Sequence, residues 1–276
     1  MPVGTYGGLA TNWESSSSGT PAMLLHCAQG SLAAWKGVSE ALPGIRCIMP
    51  DAPGHGGSEY DPEQPYMQQA VNACVALLEA EAQEPAILIG HSYGGTISLR
   101  IAQQRPDLVK ALAVYEPVNF GLLIDANHPL TRDKTGKSTE FRDTAAFQTH
   151  FENEDWPAAA KAFFGYWETE RSWDSLKPQL QEYLIRTVRY IWIQQPSVTG
   201  GVGERMMLSD LADITLPVLV SHGEFTRDIA IATAELLSSN LPNATLKPLP
   251  GSGHMGPLKA APAYATLLSE WIADLP

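Results

Sequence analysis

The chain has 276 residues, of which 44% are hydrophobic and 17% charged, and its 30 acidic and 18 basic side chains leave a formal net charge of −12. That composition supports a packed core and argues against disorder. An acidic chain with scattered Lys and Arg is also not expected to bind nucleic acid. Apolar runs fall short of the ~20 residues needed to span a bilayer, so no membrane role is expected. The opening MPVGTYGGLATNWE has neither the basic nor the apolar region of a secretory signal. Cys27, Cys47 and Cys74 form no CxxC pair and no even framework, and read as free thiols. The expectation is a soluble cytoplasmic protein.

Taken in chain order, residues 15–18 are all serine and precede Gly19-Thr20-Pro21, a polar turn between early strands. Strand-length apolar runs follow at 22–27, 45–49, 86–90, 111–115 and 217–221, with a weaker one at 244–249. Helix-length segments separate them. Met67, Val71, Cys74 and Leu78 are spaced 4, 3 and 4 apart and share one helix face. Ile97 and Ile101 lie one turn apart on a helix that should stop before Pro106, and Tyr264, Leu268 and Trp271 repeat the spacing near the C-terminus. Unbroken apolar strands alternating with amphipathic helices imply an α/β fold whose mostly parallel sheet is covered on both faces. The alternation breaks once, at 118–208, where no strand pattern appears and 13 of the 23 aromatic residues are found. This stretch reads as a helical cap inserted into a core formed by 1–117 and 209–276.

The most informative motif is Gly90-His91-Ser92-Tyr93-Gly94, a G-x-S-x-G that directly follows a buried strand and directly precedes a helix. A sharp strand-to-helix reversal strains its central residue and exposes its side chain, and glycines two positions away on each side permit the close backbone approach. A serine there is a candidate nucleophile, with the helix N-terminus adding free N–H groups and a favourable dipole.

With that motif in place, the chain resembles the α/β-hydrolase superfamily over nearly its whole length. Leu24-Leu25-His26-Cys27-Ala28-Gln29-Gly30 is similar to the family's HGxxG loop, with Cys27 where glycine is usual. Asp51-Ala52-Pro53-Gly54-His55-Gly56-Gly57-Ser58 is similar to its D-x-x-G-x-G-x-S loop. Pro217-Val218-Leu219-Val220-Ser221-His222-Gly223-Glu224 resembles the late strand leading to the usual acid, and Gly251-Ser252-Gly253-His254 the catalytic-histidine loop. The resemblance implies an eight-stranded, mostly parallel sheet flanked by helices. It also implies an oxyanion hole made by the backbone N–H groups of Ala28 and Tyr93, and no cofactor or metal.

Seven histidines compete for the role of base. His254 is preferred because its glycine-rich loop follows the last predicted strand and gives the order Ser, acid, His. The acid departs from the family pattern, because Gly223-Glu224-Phe225-Thr226 has threonine where aspartate is usual. Some relatives place the acid at the tip of the strand after the nucleophile helix, which here ends Val114-Tyr115-Glu116. Glu116 is therefore the first candidate and Asp228 the alternative. Cys27 is set aside as a nucleophile because nothing adjacent would lower its pKa.

The cap aromatics Phe141, Phe147, Phe151, Trp156, Phe163, Phe164, Tyr166, Trp167, Trp173, Tyr190 and Trp192 suggest as a cluster an apolar pocket, although any single one of them is as well explained by packing within the cap. Arg132, Arg142, Arg171, Arg186 and Arg189 are possible carboxylate binders but fit solvated helix faces better. The expected activity is serine hydrolysis of small, largely apolar esters or lactones by a monomer or homodimer. The alternatives are carbon–carbon bond hydrolysis of a ring-fission dienoate and a slow-turnover, hydrolase-like receptor.

Overall fold

The computed structural model describes residues 3–16, 18–131 and 145–276. Eight strands form one sheet: β1 (Val3–Tyr6), β2 (Leu9–Ser15), β3 (Thr20–Leu25), β4 (Ile45–Pro50), β5 (Ala86–His91), β6 (Val109–Tyr115), β7 (Val218–Ser221) and β8 (Ala244–Leu246). Their spatial order is β1-β2-β4-β3-β5-β6-β7-β8, with β1–β2 and β2–β4 antiparallel and every other pair parallel. The six apolar runs all become parallel strands, the weakest of them paired only over Ala244–Leu246. β1 and β2 have no such run. β1 is at most half-buried, and β2 buries polar Thr11 and Asn12, so neither carries the apolar signature of a strand.

Burial on both faces explains the unbroken hydrophobicity of the central strands. Met23, Ile48, Leu88 and Leu112 belong to one core cluster, while Leu24, Cys47, Ile89 and Ala113 belong to the other. Successive side chains of a strand point to opposite faces, so each strand feeds both cores.

The helices α1 (Lys36–Glu40), α2 (Tyr66–Glu81) and α3 (Tyr93–Gln104) connect the earlier strands. Val71, Cys74 and Leu78 of α2 are buried as their spacing predicts, and α3 stops two residues before Pro106. Between β6 and β7 come α4 (Gly121–Asp125), α5 (Ala145–Glu152), α6 (Trp156–Trp167), α7 (Pro178–Thr187) and α8 (Arg189–Thr199). Two of these helices, α5 and α6, contribute Phe151, Ala159, Ala160 and Tyr166 to a third small apolar cluster, joined by Val188 between α7 and α8. Arg132, Phe141 and Arg142 lie outside the described residues, as does the side chain of Phe147. The chain closes with α9 (Asp228–Asn240), α10 (Gly256–Lys259) and α11 (Ala261–Ala273). No helix among the described residues is long and apolar enough to cross a membrane.

The strand order also locates the site. β3 lies between β4 and β5, so the loops after β3 and β5 leave in opposite directions and open a crevice at the carboxyl ends of the strands.

Leu88 and Ile89, adjacent on β5, are fully buried on opposite faces. Leu88→Ala and Ile89→Ala should each cost about 2–5 kcal/mol in urea unfolding, whereas Val3→Ala, at an exposed site, should stay within about 0.5 kcal/mol.

Candidate active site

β5 ends at His91 and α3 begins at Tyr93, so the chain reverses within a single residue. That residue, Ser92, sits at φ +55° and ψ −118°, a conformation that costs an L-residue about 1–3 kcal/mol. The flanking glycines make the reversal possible. A Cβ on Gly94 would collide with the Leu25 carbonyl at the end of β3, and one on Gly90 with the Gly94 carbonyl and Ser98 hydroxyl. The Ser92 N–H donates to the Tyr115 carbonyl at 2.9 Å, and its own carbonyl accepts from Gly95 and Thr96 to start α3. The Tyr93 N–H is left at the first helical position, where a helix offers its donors no internal partner.

The loop after β3 is braced from below by two histidines. His26 donates from Nδ1 to the Cys27 carbonyl at 2.8 Å and accepts the Ala52 N–H at Nε2 at 2.9 Å. His55 accepts the Gln29 N–H at Nε2 and donates from Nδ1 to the Pro53 carbonyl. Burial holds both rings neutral, lowering His26 and, aided by His26, pushing His55 down to about 3. The buried Asp51 carboxylate accepts from Leu32 N–H, Gly57 N–H and Asn12 Nδ2, joining this loop to the next. From above, Gln29 Nε2 donates to the Leu184 carbonyl, and the Tyr183 hydroxyl donates to the Gly30 carbonyl at 2.5 Å. Ala28 is thus held between braced neighbours and lines the same cavity as Ser92 and Tyr93. Burial pushes the Cys27 thiol up to about 12, which suppresses the thiolate a cysteine nucleophile needs.

Glu116 ends β6 at φ +45° and is 1% exposed. Its Oε1 accepts the Gly223 N–H at 2.8 Å, while Oε2 accepts the Thr226 hydroxyl at 2.8 Å and meets His254 Nδ1 at 2.7 Å. Thr226, at the position where the family pattern has aspartate, therefore donates its hydroxyl to the Glu116 carboxylate. Asp228 is exposed at the first position of α9, and the structure does not bring it to His254. The His254 loop is fixed by two further bonds. His91 Nε2 donates to the His254 carbonyl at 2.8 Å, and the Tyr115 hydroxyl to the Gly253 carbonyl at 2.7 Å. Burial keeps His91 neutral, so this neighbour of the serine holds the histidine's backbone. Gln29, Ser92 and Glu116 are three of the five non-glycine residues with positive φ among those described, so the strained backbone is concentrated here.

Ser92 opens onto a cavity of about 200 Å³. Phe151, Phe163, Tyr166, Trp167 and Trp192 line it as the aromatic content of the cap suggests, together with Val118, Phe120 and Ile191. Its remaining polar lining includes Gln148, Gln194, Gln195 and Thr199, and no charged side chain of the described residues borders it. The glutamines are invisible in sequence because polar helical residues look like a solvated face. The same is true of the stacking of Trp167 on His254, with centroids 3.9 Å apart and planes 28° apart, which joins residues far apart in the chain. Of the described cap arginines, Arg171 pairs with Glu168, while Arg186 and Arg189 lie over Tyr183 and Trp156.

Comparison with known proteins agrees with this fold. A family model described as alpha/beta hydrolase fold matches residues 21–261. A 2-hydroxymuconate semialdehyde hydrolase of Pseudomonas sp. (strain CF600) is 24% identical over 280 aligned positions, covering 97% of this chain and 92% of that protein. Among solved structures, an enol-lactonase from Burkholderia xenovorans LB400 superposes with a TM-score of 0.76 at 17% identity, covering 99% of this chain and 100% of that one. An esterase from Exiguobacterium antarcticum also gives 0.76, at 19% identity, covering 99% and 98%.

The buried neutral histidines carry a stability prediction. Between about 6.5, where an unfolded imidazole titrates, and the much lower folded value of His55, the unfolded chain binds the extra proton. Stability is therefore fully present above about pH 6.5 and is lost as the pH falls towards 3. Urea midpoints should drop between pH 7 and pH 4.5, and more shallowly in His55→Gln.

Proposed function

The chain belongs to the alpha/beta hydrolase fold family, and on that premise we propose that it is a serine hydrolase of small, largely apolar carboxylic esters or lactones. The observation that carries this reading is the 2.7 Å contact of His254 Nδ1 with Glu116, taken together with a serine that opens onto an aromatic cavity whose described lining residues carry no charge. With Nδ1 committed to the carboxylate, His254 Nε2 is the nitrogen left to act as base. Ser92 Oγ attacks the carbonyl carbon and gives its proton to Nε2. The N–H groups of Ala28 and Tyr93 take the developing oxyanion. The C–O bond then breaks, the alcohol leaves with the proton from His254, and a water deprotonated by the same nitrogen releases the acid from Ser92. We assign residues 118–208 the part of a lid that keeps the acyl group out of water.

Ser92→Ala should lower kcat/KM by about a thousandfold or more, and Glu116→Gln by about a hundredfold to ten-thousandfold. Asp228→Asn should leave it within about twofold, as expected of a residue away from the imidazole. A crippled Asp228→Asn beside a normal Glu116→Gln would reverse the assignment of the acid.

The second reading, carbon–carbon hydrolysis of a ring-fission dienoate, is favoured by the likeness to the 2-hydroxymuconate semialdehyde hydrolase. Against it stands the cavity, which offers a dienoate carboxylate no cation among the described lining residues. An unpaired charge there costs several kcal/mol. Butanoate esters should therefore be turned over with a kcat/KM about a hundredfold above that for a ring-fission dienoate, and the opposite order would favour the second reading.

A further inference from the structure

We propose that Trp167 divides the active site into two compartments, and that the polar crevice beyond it receives the alcohol portion of the ester. The inference rests on the ester reading above. In that chemistry the acyl part stays on Ser92 while the alcohol oxygen takes its proton from His254, so the two halves of the substrate depart from different residues. The structure separates those residues in the same way. The cavity of about 200 Å³ is bordered by Ser92, Ala28 and Tyr93 but not by His254. A second opening of about 430 Å³ is bordered by His254, Ser252 and Thr226 but not by Ser92. Trp167 borders both and lies face to face on the imidazole, so an ester whose carbonyl meets Ser92 has its alcohol chain pass the indole to reach the second opening.

The two linings differ in chemistry. Among the described residues the Ser92 side is uncharged, whereas the crevice is edged by Glu168, Glu170, Arg227 and Lys259, two carboxylates against two cations. The segment bearing Trp167 is fastened to the core by those groups. Lys259, on α10 just after the histidine loop, bonds Glu168 at 2.5 Å and Glu170 at 3.0 Å. Arg227, just before α9, donates to the Tyr166 carbonyl at 2.8 Å and lies 3.7 Å over the Tyr166 ring. The indole is also stacked with Phe120 and held edge-on by Tyr166. A lining of balanced charge offers hydrogen-bond donors and acceptors without selecting either sign. The matching occupant is a neutral alcohol that carries further hydroxyl groups. At about 430 Å³ the crevice has room for more than a methyl group.

The test compares the butanoate esters of methanol, butan-1-ol and glycerol, together with methyl esters of increasing acyl length, in the wild type, Trp167→Ala, Trp167→Phe and Lys259→Gln. The wild type should favour the glycerol ester over the butyl ester by about tenfold in kcat/KM. Trp167→Ala should bring that ratio towards one while the acyl-length order holds. Trp167→Phe should keep the ratio, and Lys259→Gln should reduce it through KM. A uniform fall across all esters, or a changed acyl order with an unchanged alcohol ratio, would overturn the division. Labelling of Ser92 by a fluorophosphonate separates the two levels. Labelling and hydrolysis with no alcohol preference overturn this inference alone, whereas a wild-type enzyme that neither labels nor hydrolyses overturns the ester reading and this inference with it.

Discussion

Much of this molecule is arranged around one buried carboxylate. A charge at the tip of a central strand is tolerable only if its lone pairs are met by donors, because leaving them bare costs several kcal/mol. Glu116 obtains a backbone N–H and a hydroxyl from the loop after β7 and an imidazole from the loop after β8. Meeting that demand draws two loops over the end of β6 and forces Glu116 itself into a left-handed conformation. Tyr115 and His91, on β6 and β5, then pin the carbonyls on either side of the imidazole's Cα. The proposed base is thus oriented by its carboxylate and located by the sheet.

What could be read from the sequence divides according to whether the cause is local. The parallel strands were legible because burial on both faces makes them apolar, whereas β1 is at most half-buried and β2 buries polar Thr11 and Asn12, so neither shows an apolar run. The serine elbow was legible because its steric demand falls on glycines only two positions away. The choice between Glu116 and Asp228 had no local signature. The contacts that favour Glu116 span 107 to 138 residues of chain. His91 adjoins the serine in sequence, but its purchase on the His254 carbonyl is again a matter of tertiary placement.

The cap and the proposed oxyanion hole form one mechanical unit. Tyr183 and Leu184 of α7 are bonded to the loop that bears Ala28, and Ser197 of α8 to the hydroxyl of Tyr93. Both residues credited with oxyanion N–H groups therefore sit beside anchors of α7 and α8. Displacing α7 or α8 would disturb charge stabilisation as well as access, and positional errors of this kind are amplified in rate.

Thr226 has a consequence for how such a site can change over time. Its hydroxyl lies 2.8 Å from the Glu116 carboxylate, so an aspartate there would set two acids against each other. Like charges at that range do not both ionise, and one would have to hold a proton at neutral pH. The two addresses for the acid, on β6 or after β7, are therefore alternative states and not additive ones. A lineage moving between them must pass either through a form with neither acid or through one with a shared proton. Threonine, a donor that carries no charge, keeps the present address settled.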